Sequence, residues 1–91
     1  MHGEYKVPGG KLVVADVDIA SGKLIRVQIS GDFFLEPPEA LAAIDAALTG
    51  LPADSDQNVL TAAIVRALPA DVEMFGFSPE AVAITVKRAL A

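Results

Sequence analysis

Val13, Ala15, Val17 and Ile19 alternate with more polar neighbours, and Ile25, Val27 and Ile29 repeat the pattern after a short interruption. Alternation with a period of two marks strands that turn one face to a core. The chain therefore reads as a hairpin over residues 12–30, with Ala20-Ser21-Gly22 at its tip. A three-residue loop with Gly22 left-handed, forming a bulge, pairs Ile19 with Lys23. Val17 then lies opposite Ile25, Ala15 opposite Val27, and Val13 opposite Ile29. A two-residue Ser-Gly loop would set Val17 against Arg26 and break the apolar face, so face matching selects the longer loop. On the outer face this register brings Asp16 beside Arg26. A short edge strand is expected over Gly3 to Val7.

Helical spacing replaces alternation from Pro38 onward. Leu41, Ile44 and Leu48 share a stripe flanked by Ala40 and Ala47, with Glu39 in the first turn. Gly50, as a left-handed residue, ends this helix, and Leu51 folds back on it. A second helix starts near Asp54 or Ser55, where Asp54 and Gln57 suit a capping exchange. It carries Leu60, Ala63, Ile64, Ala67 and Leu68 on one side and stops before Pro69. Ser78-Pro79-Glu80 opens a third helix with a serine cap, a first-turn proline and an acid at the positive end. Val82, Val86, Ala89 and Leu90 form its apolar face. Val72 to Phe77 suits either a short strand or a packed loop, with Phe75 and Phe77 in the core. The fold class is α+β, a small antiparallel sheet covered by three helices.

The 91 residues suit one domain, 1–91, with a modest core. The formal charge of −5 disfavours nonspecific nucleic-acid binding, which needs clustered cations. There is no cysteine, so thiol catalysis, thiolate metal sites and disulfides are excluded. The one histidine, His2, is expected at a mobile, exposed end. No apolar run is long enough for a membrane-spanning helix and no secretory segment is evident, so a cytoplasmic location is expected.

Candidate chemistry concentrates in a few short stretches. Lys6 and Lys11 flank Pro8-Gly9-Gly10, and glycine lets backbone N–H groups approach an anion closely. The loop suits a ligand or partner contact, or else a turn with solvated lysines. Asp16 and Asp18 point the same way along a strand and read as a solvated outer face, with metal binding as the alternative. Phe33 and Phe34 cannot both face one core from an extended backbone, so they serve either irregular core packing or an interface. Ser21, Ser30, Ser55 and Ser78 lack a histidine base, and Gly9-Gly10-Lys11 lacks the spacing of a Walker loop.

Glu4-Tyr5-Lys6-Val7-Pro8-Gly9-Gly10-Lys11-Leu12-Val13, then Asp16-Val17, Ser30-Gly31-Asp32-Phe33-Phe34 and Gly76-Phe77-Ser78-Pro79-Glu80-Ala81 together resemble the accessory domain of lipoate–protein ligases. The likeness is strongest to the form found as a separate small subunit. The resemblance implies an α+β domain that binds no cofactor alone and partners a large catalytic subunit, with lipoate and Mg-ATP held at the complex. It further implies assistance to lipoyl-adenylate formation before transfer to a lysine of an acceptor protein. Lys6, Gly9, Gly10 and Lys11 are the candidate ligand or partner loop, and Phe33 and Phe34 the candidate interface. No catalytic residue and no metal ligand is assigned. The alternative is a protein-interaction adaptor with no part in nucleotide chemistry. Neither nucleic acid nor membrane is an expected partner.

Overall fold

The computed structural model describes residues 1–91. Its elements are β1 (His2–Lys6), β2 (Leu12–Ala20), β3 (Lys23–Gly31), β4 (Phe34–Glu36), α1 (Ala40–Leu48), α2 (Gln57–Ala67), β5 (Glu73–Phe75) and α3 (Pro79–Leu90). β1, β2 and β3 form an antiparallel sheet in that order, and β4 and β5 form a separate two-stranded ribbon. α3 packs on β1 and β2, α1 packs on β3, and α2 bridges the other two helices. The α+β architecture and the three helices agree with the sequence. β1 lies one residue earlier than expected and pairs with β2.

The hairpin register corrects the expectation. Ser21 (φ 53°) and Gly22 (φ 76°) form a two-residue turn between the paired Ala20 and Lys23. Positive φ at both central positions is what a type I′ turn requires, and it matches the twist of the flanking strands. Ile19 faces Leu24, but the ladder then slips by one, so that Asp18 faces Arg26 and Val17 faces Val27. Ile25 is the extra residue and is exposed. The bulge therefore lies inside β3 rather than in the loop, and it restores the apolar face by another route. Leu24, Val27 and Ile29 join Val13, Ala15 and Val17 in the core. Arg26 consequently approaches Asp18 (3.5 Å) instead of Asp16.

Two helix starts also differ in detail. Asp56, not Asp54, caps α2 by accepting from the Val59 N–H at 2.9 Å. Ser55 instead donates its hydroxyl to the Pro52 carbonyl. Glu39 is the N-cap of α1 without a side-chain cap bond, and no acid occupies the first turn. α3 begins as its sequence indicates, with Ser78 Oγ accepting from the Ala81 N–H at 3.1 Å and Pro79 at the first position.

The buried side of α3 is made of Ala81, Val82, Ala83, Thr85, Val86 and Ala89, and small residues let a strand come close. β1 uses that space. A Cβ on Gly3 would lie 2.4 Å from the Ala89 nitrogen and 2.7 Å from the Thr85 carbonyl oxygen. The Thr85 hydroxyl is satisfied within α3 by the Ala81 carbonyl at 2.7 Å. Above this contact Arg88 lies 4.8 Å from the centre of the Tyr5 ring and donates to the Glu4 carbonyl, a cation–π and hydrogen-bond clamp on the strand.

The outer edge of β3 is tied down by the segment after α1. Gly50, left-handed as expected (φ 95°), donates to the Leu24 carbonyl, Leu24 donates to the Leu51 carbonyl, and Ala53 donates to that of Gly22. Farther along, Asp45 of α1 accepts from the Ile29 N–H at 3.1 Å. Burial raises the Asp45 carboxyl above its ordinary value of 3.8, and the Ile29 bond opposes that rise.

These contacts lead to two predictions. Gly3→Ala should cost about 1–3 kcal/mol, because both colliding groups are backbone and cannot rotate away; urea unfolding measures it. The second concerns Asp45. A carboxyl whose folded value is raised contributes most when protonated, so its contribution is full below 3.8 and is lost as pH rises through the raised value. Asp45→Asn keeps an oxygen for Ile29 and removes the buried charge. Its stability relative to the unmodified chain should rise with pH across that window, ending no lower at neutral pH. A flat difference between acid and neutral unfolding curves would contradict this.

Candidate functional site

Three segments separated in sequence meet at one end of the molecule. The loop after β1 closes on itself, with Gly10 donating to the Val7 carbonyl at 2.8 Å and Val7 donating to that of Lys11 at 3.1 Å. Lys11 then donates its amide to the Gly76 carbonyl at 2.8 Å, and Asp32 donates to the Leu12 carbonyl at 3.1 Å. The Lys6–Lys11 loop, the Gly31–Phe33 corner and the Gly76–Phe77 lead into α3 thus form one cluster.

Glycines permit the contacts. A Cβ on Gly10 would come within 2.6 Å of the Gly76 carbonyl oxygen, and Gly31 (φ 149°) sits with its Cβ position 2.1 Å from the Leu12 carbonyl oxygen. The Lys11 Cγ occupies the space beside Gly76, 2.4 Å from where a Cβ would stand. The phenylalanines complete the junction. Phe33 stacks on Phe77 with centroids 3.8 Å apart and planes at 21°, joining the corner to the start of α3.

The two lysines have different surroundings. Lys6 Nζ donates to the Gly10 carbonyl at 2.6 Å and the Val7 carbonyl at 3.2 Å, so its ammonium braces the loop from inside. Lys11 is held through both backbone groups, while its side chain makes no ion pair. Gly9 (φ 71°) is exposed at the tip and has open space around it. The cluster therefore presents two exposed positive charges, Lys6 tied to the loop carbonyls and Lys11 without a side-chain partner.

Phe33 and Phe34 part company as their adjacency requires. Phe33 is half-buried in the stack, whereas Phe34 is 72% exposed. β5 settles the segment 72–77 as a strand flanked by loops, and it corrects the placement of Phe75. Phe75 lies opposite Phe34 and is half exposed; only Phe77 enters the core. The alternation of a strand explains it, since Met74 takes the inward position between Glu73 and Phe75. Beside Phe34 runs an open groove of about 360 Å³, walled by Phe33, Leu35, Pro38 and Leu41. Glu36 is the charged group in its lining. Such a groove suits an apolar side chain, and its acid repels a carboxylate or a phosphate.

A second polar cluster lies elsewhere, on the outer face of the sheet. His2 is not loose but sits in β1 between two carboxylates, with Nε2 2.7 Å from Glu4 and Nδ1 2.8 Å from Asp16. The bond to Glu4, then that to Asp16, raises the imidazole above its ordinary 6.5. The two ring nitrogens point away from one another, so these groups do not converge on a common point. No group of His, Asp and Glu in the chain is arranged to hold a metal ion. No helix is long and apolar enough to cross a membrane.

No protein-family model matches the chain, and no curated protein sequence does so either. Among solved structures it is similar to a chain from Thermoplasma acidophilum, described as belonging to an archaeal lipoylation system, a bipartite lipoate protein ligase and its E2 lipoyl domain. The two share 23% identity with a TM-score of 0.65, over all of this chain and 98% of the other. The chain shares the fold of a protein from that archaeal lipoylation system.

Proposed function

We propose that the chain is a non-catalytic small subunit that assists a separate large ligase subunit in activating lipoate. The observation that carries this reading is the full-length likeness in fold to a chain of a bipartite lipoate protein ligase system. The local geometry is compatible with it. Three of the four segments that carry the sequence resemblance meet at one end, joined by the Lys11–Gly76 and Asp32–Leu12 backbone bonds.

In the activation step a carboxylate oxygen of lipoate attacks the α-phosphorus of ATP and pyrophosphate leaves. Negative charge builds on the phosphoryl oxygens, and fixed donors or cations stabilise it without reorganising. Mg-ATP and lipoate belong to the complex with the large subunit, and the small chain acts as a lid. Lys11 is the residue to supply charge, because its backbone is anchored and its ammonium is uncommitted. Lys6 acts through the loop, since its ammonium already binds two carbonyls. Gly9 and Gly10 let the loop take its shape. Closure also excludes water that would hydrolyse the adenylate. The lipoyl group then passes to a lysine of the acceptor protein.

The test separates two half-reactions at saturating large subunit. Lys11→Ala should slow lipoyl-adenylate formation by about 10-fold or more, equivalent to ~1.4 kcal/mol of transition-state stabilisation. Transfer from preformed adenylate should change less, because the phosphate chemistry is complete by then. Lys6→Ala should loosen the loop, and a defect cured by excess partner would place it at the subunit interface. If adenylation proceeds at the same rate with and without this chain, the reading fails and an adaptor outside nucleotide chemistry replaces it.

A further inference from the structure

The β4–β5 ribbon turns Leu35 and Met74 inward and presents Phe34, Phe75, Glu36 and Glu73 on its outer face. The ladder sets Phe34 directly opposite Phe75 and Glu36 directly opposite Glu73. Each half of that arrangement costs the isolated chain something. Phe34 and Phe75 are 72% and 49% exposed, the two most exposed aromatic rings pairing across one ladder. Like charges directly opposite one another destabilise a strand pair, and neither glutamate has a cation within the chain to relieve it. Phe34 and Glu36 also line the 360 Å³ groove, so the outer face and the groove form one surface.

We infer that this ribbon face is the docking surface for a positively charged, apolar-tipped surface of the large ligase subunit. The inference rests on the proposed function for the identity of that partner, and on the ribbon alone for its chemistry. An aliphatic or aromatic side chain of the partner enters the groove against Phe34, and Lys or Arg residues beside it neutralise Glu36 and Glu73. Pairing of charges across an interface relieves the repulsion built into the free chain and steers the encounter. Central aromatic anchors supply most of the affinity.

A second copy of this chain fits less well. Laying the face squarely on its own twin sets either glutamates on glutamates or phenylalanines on glutamates. The formal charge of −5 on each copy adds repulsion at long range. The anionic substrates of the ligase reaction are disfavoured here for the same reason.

Affinity for the large ligase subunit, measured by calorimetry at several salt concentrations, tests the assignment. Phe34→Ser with Phe75→Ser should weaken binding by about 30-fold or more. Glu36→Lys with Glu73→Lys should weaken it by about 10-fold or more at low salt, and should flatten or invert the decline with salt shown by the unmodified chain. Val65→Ser, which removes a comparably exposed apolar side chain from α2, should bind as the unmodified chain does. All these positions are exposed, and each variant is checked for an unaltered urea unfolding curve. If the unmodified chain does not bind the large subunit, the proposed function falls and this assignment with it. If the unmodified chain binds and both double variants retain its affinity and salt dependence, the ribbon assignment alone is overturned. Self-association of the isolated chain in sedimentation, abolished by the phenylalanine variants, would also overturn it in favour of a second copy.

Discussion

A three-stranded sheet with helices on one side must keep every inward position of β2 and β3 on that side. Two features of the hairpin compete over this. A type I′ turn at Ser21-Gly22 satisfies strand twist, yet by itself it would leave the two apolar stripes out of phase. One extra residue, Ile25, resolves the conflict and is left in solvent. Once the phase is restored, Val27 and Ile29 face the helices, α1 packs on β3, and α2 can lock α1 to α3. The cost is a single exposed isoleucine and a local break in the ladder.

The opposite edge of the sheet is governed by closeness rather than phase. β1 has few large inward side chains, and Gly3 brings its backbone directly onto α3. That fit works only because α3 offers alanines and an internally satisfied threonine. Its consequence reaches the far end of the molecule. With β1 pinned, the loop that follows emerges beside Gly76, where Lys11 bonds to the backbone ahead of α3. Position at the candidate site is therefore inherited from packing at Thr85 and Ala89, toward the other end of the helix whose start borders the site.

Much of this architecture was legible from the residues in order. Alternation located β2 and β3, and the Ser78-Pro79 start of α3 could be placed to the residue because cap, proline and spacing agreed. The register could not, because face matching alone does not say whether an extra residue sits in the turn or within a strand; Ile25, as apolar as Leu24 beside it, carries no mark of it. The choice of Asp56 over Asp54 was similarly hidden, since both acids stand near the same helix start. Lys6 and Lys11 looked equivalent, and only the carbonyls of Val7 and Gly10 distinguish them. The outward position of Phe75 is hidden in the sequence because a three-residue strand is too short for alternation to show. The Glu36–Glu73 pair has no signature in the sequence for a related reason: residues distant in sequence become a pair only when the ribbon forms.

The tether along β3 has a consequence for behaviour in a crowded solution. A strand at the margin of a sheet offers a row of unpaired backbone groups, and such rows recruit strands from other molecules into fibrils or swapped dimers. Here Gly50, Leu51 and Ala53 occupy the tip of that row, and the Asp45 carboxylate takes a further amide. The segment after α1 thereby works as a built-in chaperone for the longest strand pair in the chain, shielding it from strands of other molecules.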